Sequence, residues 1–168
     1  SVTTLQSGAL GGALYNHNTG TIGSVSTVNF SGNYAKGGTY ARGGAIYNQG
    51  TLPSLVNSSF IGNYVEASDS GEEKSAGGAI YSTTDLTISA LNGDSLFSGN
   101  YVKAGGVERG NDIYLAGTGD SPLNLNLTAN NGSLSLNSGI DGNGYSISLS
   151  GDASGTINFG GLISNASE

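Results

Sequence analysis

The chain has 168 residues and a mass of 16.7 kDa, enough for one domain with a real core and too little for two independent ones. A formal charge of -7, with the five basic residues Lys36, Arg42, Lys74, Lys103 and Arg109 scattered along the chain, leaves no patch to neutralise phosphates and argues against a nucleic-acid partner. Zero cysteines excludes disulfide staples and thiolate metal sites, and no apolar run is long enough for a membrane helix, so no direct membrane insertion by this segment is expected.

Residues 1–16 lack the charged start and apolar centre of a signal peptide, which predicts a processed or excised piece. The chain carries 30 glycines, against about 12 in an average chain of this length. Such a chain must economise on core. Charged residues are nevertheless only 10% and apolar residues alternate regularly in the second half, which argues for a folded β-rich protein rather than disorder.

From the N-terminus, Gly11-Gly12-Ala13-Leu14-Tyr15-Asn16 returns as Gly43-Gly44-Ala45-Ile46-Tyr47-Asn48 and again as Gly77-Gly78-Ala79-Ile80-Tyr81-Ser82. A second phrase follows each copy: Phe30-Ser31-Gly32-Asn33-Tyr34, Phe60-Ile61-Gly62-Asn63-Tyr64 and Phe97-Ser98-Gly99-Asn100-Tyr101. The glycine pairs are 32 and 34 residues apart and the phenylalanines 30 and 37, a loose period of the kind solenoids show. The slack falls at 35–42 and 66–76, and both stretches read as loop insertions. The second carries Asp69, Glu72, Glu73 and Lys74 and is expected to bulge from the body as a mobile, solvated loop.

Val28/Phe30, Leu86/Ile88 and Leu123/Leu125/Leu127 alternate with polar neighbours, and 133–137, 145–150 and 156–159 read as further short strands. The turns between them are Asn130-Asn131-Gly132, Asp141-Gly142-Asn143-Gly144 and Gly151-Asp152. Such turns would suit hairpins of a sandwich. Recurring phrases, however, are what stacked coils require, because each coil then meets a copy of itself about 4.8 Å away. The expected fold is therefore all-β, a parallel β-helix of about five or six coils. It forms a single segment over 1–168, with repeats and loop insertions over 1–104 and tighter coils over 105–168.

Within the first phrase the paired glycines allow positive φ and a tight corner, and alanine leaves room for the next coil. Leu14, Ile46 and Ile80 then point inward and period two sends Tyr15, Tyr47 and Tyr81 outward. In the second phrase Phe30, Phe60 and Phe97 point inward. Asn33, Asn63 and Asn100 stack at the bend, where amides bond backbone groups and one another, and Tyr34, Tyr64 and Tyr101 follow. The six tyrosines are the candidate ligand-binding residues, since a rigid aromatic row with polar tips suits a sugar or a partner protein. The competing reading is that they only cover the strands of a glycine-rich coil.

The alternation of GGALYN, GGAIYN and GGAIYS with FSGN, FIGN and FSGN resembles the GGA-I/L/V and F-x-x-N repeats of chlamydial polymorphic membrane proteins and related bacterial autotransporter passenger domains. Asn111-Asp112-Ile113-Tyr114-Leu115 and the runs 139–142 and 155–159 resemble the stretch that follows such repeats. The resemblance implies a right-handed β-helix secreted through an outer-membrane barrel and displayed at the bacterial cell surface. It also implies adhesion, to a host-cell surface protein or glycan or by self-association between cells. No barrel segment is present in this sequence.

Chemistry is sought in vain among the usual constellations. His17 sits among Asn16, Asn18 and Thr19 without a G-x-S-x-G partner, and reads as a loop residue. Asp112, Asp120, Asp141 and Asp152 lie apart in turns and Asp85 and Asp94 flank one strand, so the paired carboxylates of polysaccharide-cleaving β-helices are not legible. Asp141-Gly142-Asn143-Gly144 lacks the downstream Glu of a calcium loop and reads as a turn. No catalytic residue, metal ligand or cofactor is assigned. The expected function is a non-catalytic adhesin, with a structural stalk and a carbohydrate-active β-helix as alternatives.

Overall fold

The computed structural model describes residues 1–3, 8–68, 75–103, 109–117 and 122–165, which form 23 short strands in five parallel sheets and no helix. The fold is a parallel β-helix. The acidic stretch expected as a loop, with Asp69, Glu72, Glu73 and Lys74, lies outside the described residues, as does Asp120.

The first sheet stacks Leu14–Asn16, Ile46–Asn48, Ile80–Ser82, Ile113–Leu115, Ile140–Asp141 and Ile163–Ser164. The second stacks Ser24–Ser26, Ser54–Val56, Leu86–Leu91, Asn124–Asn130 and Ser146–Gly151. The third stacks Asn29–Ser31, Ser59–Ile61, Ser95–Ser98, Ser133–Leu136 and Thr156–Phe159. In the first sheet Leu14, Ile46, Ile80, Ile113, Ile140 and Ile163 stand in one row, so successive turns take 32, 34, 33, 27 and 23 residues.

The main core lies among these three sheets. Ile46, Ile80 and Ile113 come from the first, Leu55, Ile88, Leu125 and Leu127 from the second, and Phe60, Phe97, Leu134 and Leu136 from the third. Over the repeated coils like packs on like: the rings of Phe30, Phe60 and Phe97 stack at 4.7 and 4.5 Å, and Leu136 continues their row. The corner between the second and third sheets needs a left-handed residue, filled by Thr27, Asn57, Asn92 and Asn131 at φ of 56°, 47°, 50° and 47°. Asparagine tolerates that conformation; threonine, branched at Cβ, does so only under strain.

The structure corrects the reading of 35–42. It is no loop: Tyr34–Gly37 and Ala41–Arg42 are strands, and Ala35 and Ala41 are fully buried; both ends of 66–76, also expected as a loop, are likewise strand, in Tyr64–Ala67 and Ser75–Ala76. After each Asn-Tyr the chain makes an excursion that we call the wing. Its two sheets stack Val2–Thr3, Tyr34–Gly37, Tyr64–Ala67 and Tyr101–Lys103, and Ala9–Leu10, Ala41–Arg42 and Ser75–Ala76. Between them runs a small core of Ala9, Ala35, Ala41, Val65, Ala67 and Val102. Alanine dominates because two sheets folded against each other by one short excursion leave no room for larger side chains.

The paired glycines make the neck of this wing. Gly43 has φ +65°, which only glycine adopts freely, and Gly44 sits where a Cβ would run into the carbonyl oxygens of Gly78 and Tyr64. The first glycine turns the chain and the second lets the departing and returning backbones pass.

Candidate recognition surface

The wing decides which tyrosines reach solvent. Tyr15, Tyr47, Tyr81 and Tyr114 form one stack on the first sheet, with ring centroids 5.5, 5.1 and 5.3 Å apart. They point away from the main core, as period two requires, yet Tyr47, Tyr81 and Tyr114 are buried together with Ala76 and Ala116, and Leu10 packs against them. The Arg42 guanidinium lies 5.1 Å from the Tyr81 ring centre and 5.2 Å from that of Tyr40. Burial pushes the Tyr47 phenol up from its ordinary value, against the opposing pull of Arg42. Tyr15 alone in this stack is open, at 48% exposure, with His17 edge-on at 6.2 Å. The wing thus withdraws Tyr47 and Tyr81 from the six-residue surface expected from the repeats.

The second stack stays outside. Tyr34, Tyr64 and Tyr101 stand in register on the outward face of the wing's first sheet, with centroids 5.2 and 4.9 Å apart and rings inclined by 16° and 4°. Two residues along, the same face carries Lys36, Glu66 and Lys103 in register. Glu66 is shared: Lys36 Nζ lies 3.0 Å from its Oε1 and Lys103 Nζ 3.3 Å from its Oε2. The hydrogen bond from Lys36 holds the Glu66 carboxyl below its ordinary value and raises the Lys36 ammonium in turn. Hydroxyl contacts with Ser1 and Thr3 lower the Tyr34 phenol.

Beneath both stacks run amide ladders. Asn33 Nδ2 donates to Asn63 Oδ1 at 3.0 Å, Asn63 Nδ2 to Asn100 Oδ1 at 2.9 Å, and Asn100 Nδ2 to Asp112 Oδ1 at 2.8 Å. Asp112 ends the ladder, and its Oδ2 accepts from the backbone N–H groups of Ser138 and Gly139. Burial pushes the Asp112 carboxyl up, and the Asn100 amide and those N–H groups oppose the rise. A parallel ladder runs from Asn16 Nδ2 to Asn48 Oδ1 at 2.8 Å and from Asn48 Nδ2 to Ser82 Oγ at 3.1 Å.

Sequence reasoning overlooked the role of Gly110-Asn111-Asp112-Ile113-Tyr114, which stands in register with Gly77-Gly78-Ala79-Ile80-Tyr81 as a fourth, altered copy. Asn111 Oδ1 accepts the Val102 N–H, closing the last strand of the wing's first sheet, while Asp112 closes the amide ladder. The signal was legible: Ile-Tyr recurs 33 residues on, with the second glycine and the alanine replaced by polar side chains.

The described aspartates and the histidine considered in the sequence are taken up by the fold. Asp85 accepts from Asn124 N, Asp94 from Ser133 N, and Asp152 from Asn131 N and Ser154, so each braces a corner of the next or preceding coil. Asp141 Oδ1 accepts from Asn143 N, the geometry of a local turn, and its Oδ2 lies 3.8 Å from Arg109. His17 Nδ1 is 3.2 Å from Thr19 Oγ1 at an exposed position. Among the described residues no group of three or more His, Asp or Glu is placed to hold a metal ion. Compared with protein-family models, curated proteins and solved structures, the chain matches none of them.

Proposed function

We propose that this β-helix is a surface-displayed passenger segment of a bacterial autotransporter and works there as a non-catalytic adhesin, with the outward face of the wing as its contact surface. One observation carries the reading: Tyr34, Tyr64 and Tyr101 form an outward stack, half-buried at Tyr34 and Tyr64 and exposed at Tyr101, with its rings already immobilised by one another. Rings held in place before contact lose little further freedom on binding, so their contact area converts to affinity efficiently. The family-like repeats supply the setting, a bacterial cell surface. A second reading, a stalk whose ladders serve cohesion alone, is favoured by the burial of Tyr47, Tyr81 and Tyr114.

The two readings separate in a binding assay with the labelled chain on cultured epithelial cells and on bacteria displaying it. The adhesin reading expects saturable binding that the variant Tyr34→Ser/Tyr64→Ser/Tyr101→Ser loses, and that Lys36→Glu/Lys103→Glu, which leaves the stack intact, weakens. Circular dichroism checks that both variants retain the β fold. Absence of saturable binding by the parent chain to cells, matrix proteins and glycans would establish the stalk.

A further inference from the structure

A stack of tyrosines offers a ligand less than its ring count suggests. Tyr64 lies between Tyr34 and Tyr101 at 5.2 and 4.9 Å, so both of its faces are covered and only its edge and hydroxyl remain. Tyr34 has one face on Tyr64 and its hydroxyl engaged by Ser1 and Thr3 of the adjoining strand. Tyr101 is different. Its strand is the last of the wing sheet, the residue is 42% exposed, and no other ring of the described residues stacks on its second face.

The charge on this face is displaced toward the same end. Glu66 is nearer Lys36 than Lys103, at 3.0 against 3.3 Å, and the Lys103 side chain is 64% exposed against 44% for Lys36. Among the described residues of this face two ammonium groups share one carboxylate, so one positive charge is in surplus, and it sits at Lys103, two residues from Tyr101 on the same face. The other described cations are engaged elsewhere, Arg42 over Tyr40 and Tyr81 and Arg109 beside Asp141. On a chain of net charge -7 this is a local exception.

We propose that the end of the wing is a carbohydrate site for acidic pyranosides, in which the apolar C–H face of the sugar lies on the free face of Tyr101 and its carboxylate pairs with Lys103. An open aromatic face and a cation one strand-repeat away match the two features of a uronic acid, an apolar ring face and an anionic substituent at its rim. Tyr15, the other exposed tyrosine of the described residues, stacks on Tyr47 and carries His17 two residues along, where Tyr101 carries Lys103. The site rests on the adhesin reading for its biological setting alone.

The test is an NMR titration of the whole chain with a hyaluronan octasaccharide, with chitohexaose as the neutral comparison. Shift changes are expected to centre on the Tyr101 ring and Lys103, and hyaluronan to bind more tightly than chitohexaose. Tyr101→Ala should weaken hyaluronan binding about tenfold while Tyr101→Phe, which keeps the platform and the fold, leaves it nearly unchanged. Lys103→Gln should weaken hyaluronan about two- to fivefold, the range of an exposed ion pair, without affecting chitohexaose. Shifts centred on Tyr15 or on the serine-rich sheets, equal binding of both probes, or no shift at millimolar ligand would overturn the site. Cell binding that survives Tyr101→Ala would count against the site and leave the adhesin reading standing, whereas hyaluronan shifts at Tyr101 without any cell binding would do the reverse.

Discussion

Replacing Asn63 by alanine tests whether the amide ladder holds the coils together or merely accompanies their packing. The Asn63 side chain is fully buried and takes part in four hydrogen bonds: Oδ1 accepts from the backbone and side-chain amides of Asn33, and Nδ2 donates to Phe30 O and Asn100 Oδ1. At about 1 kcal/mol net for each bond, Asn63→Ala should cost about 4 kcal/mol. Asn33→Ala, which among the described residues removes the one side-chain bond from Asn33 Nδ2 to Asn63, should cost about 1 kcal/mol. The assay is urea unfolding followed by circular dichroism, with the midpoint read at unchanged slope so that the difference reports stability and not a change in the unfolding unit. Because coils interact chiefly with their neighbours, two-state behaviour should be verified with a second probe such as tyrosine fluorescence. Equal costs for Asn63→Ala and Asn33→Ala would refute the reasoning, since the ladder would then contribute no more at its centre than at its end.

Three further outcomes follow from particular residues. Thr27→Asn should stabilise the protein by about 1 kcal/mol in the same unfolding assay, because it puts at φ 56° the residue type that occupies the equivalent corners at 57, 92 and 131. Gly44→Ala should destabilise the wing and increase the exposure of Tyr47 and Tyr81, seen as faster amide exchange at Ala41–Arg42 and Ser75–Ala76, since its Cβ meets backbone oxygens that cannot move aside. Glu66 should titrate below the ordinary glutamate range in a carboxyl-carbon NMR titration, and Lys36→Gln should move its midpoint upward. With the folded value depressed, whatever the ion pair contributes is present above the unfolded pKa and is lost as pH falls through the folded one. On so open a face the contribution to stability is small.

Much of the helix could be read before any coordinates because its rules are local. Two phrases repeated in one order imply that each coil meets a copy of itself, and the rows Phe30, Phe60, Phe97 and Leu14, Ile46, Ile80 stand in the register that repetition demands. The strands expected at 133–137, 145–150 and 156–159 are found at Ser133–Leu136, Ser146–Gly151 and Thr156–Phe159. There, bulky apolar residues alternate with small polar ones and the turns between are plainly marked. The stretch at 35–42 was illegible for the converse reason. Its buried residues are the alanines Ala35 and Ala41 and the glycine Gly37, which carry no alternation of size, and their burial depends on strands of neighbouring coils, some 30 residues away, stacking on both wing sheets.

The same division applies to the candidate surface. Period two determined that Tyr15, Tyr47 and Tyr81, like Tyr34, Tyr64 and Tyr101, point away from the interior on which their own strands close, because side-chain direction alternates with each residue. Which of the two stacks remains open was decided only by the tertiary structure. The wing folds back over Tyr47, Tyr81 and Tyr114 and leaves its own outer face, with Tyr34, Tyr64 and Tyr101, to solvent. It stops where Asn111 and Asp112 replace a glycine and an alanine, and beyond Tyr101 no further ring of the described residues continues the stack. Direction is a property of a strand and its neighbours in sequence; coverage depends on what packs against it from elsewhere, and no repeat in the chain states that.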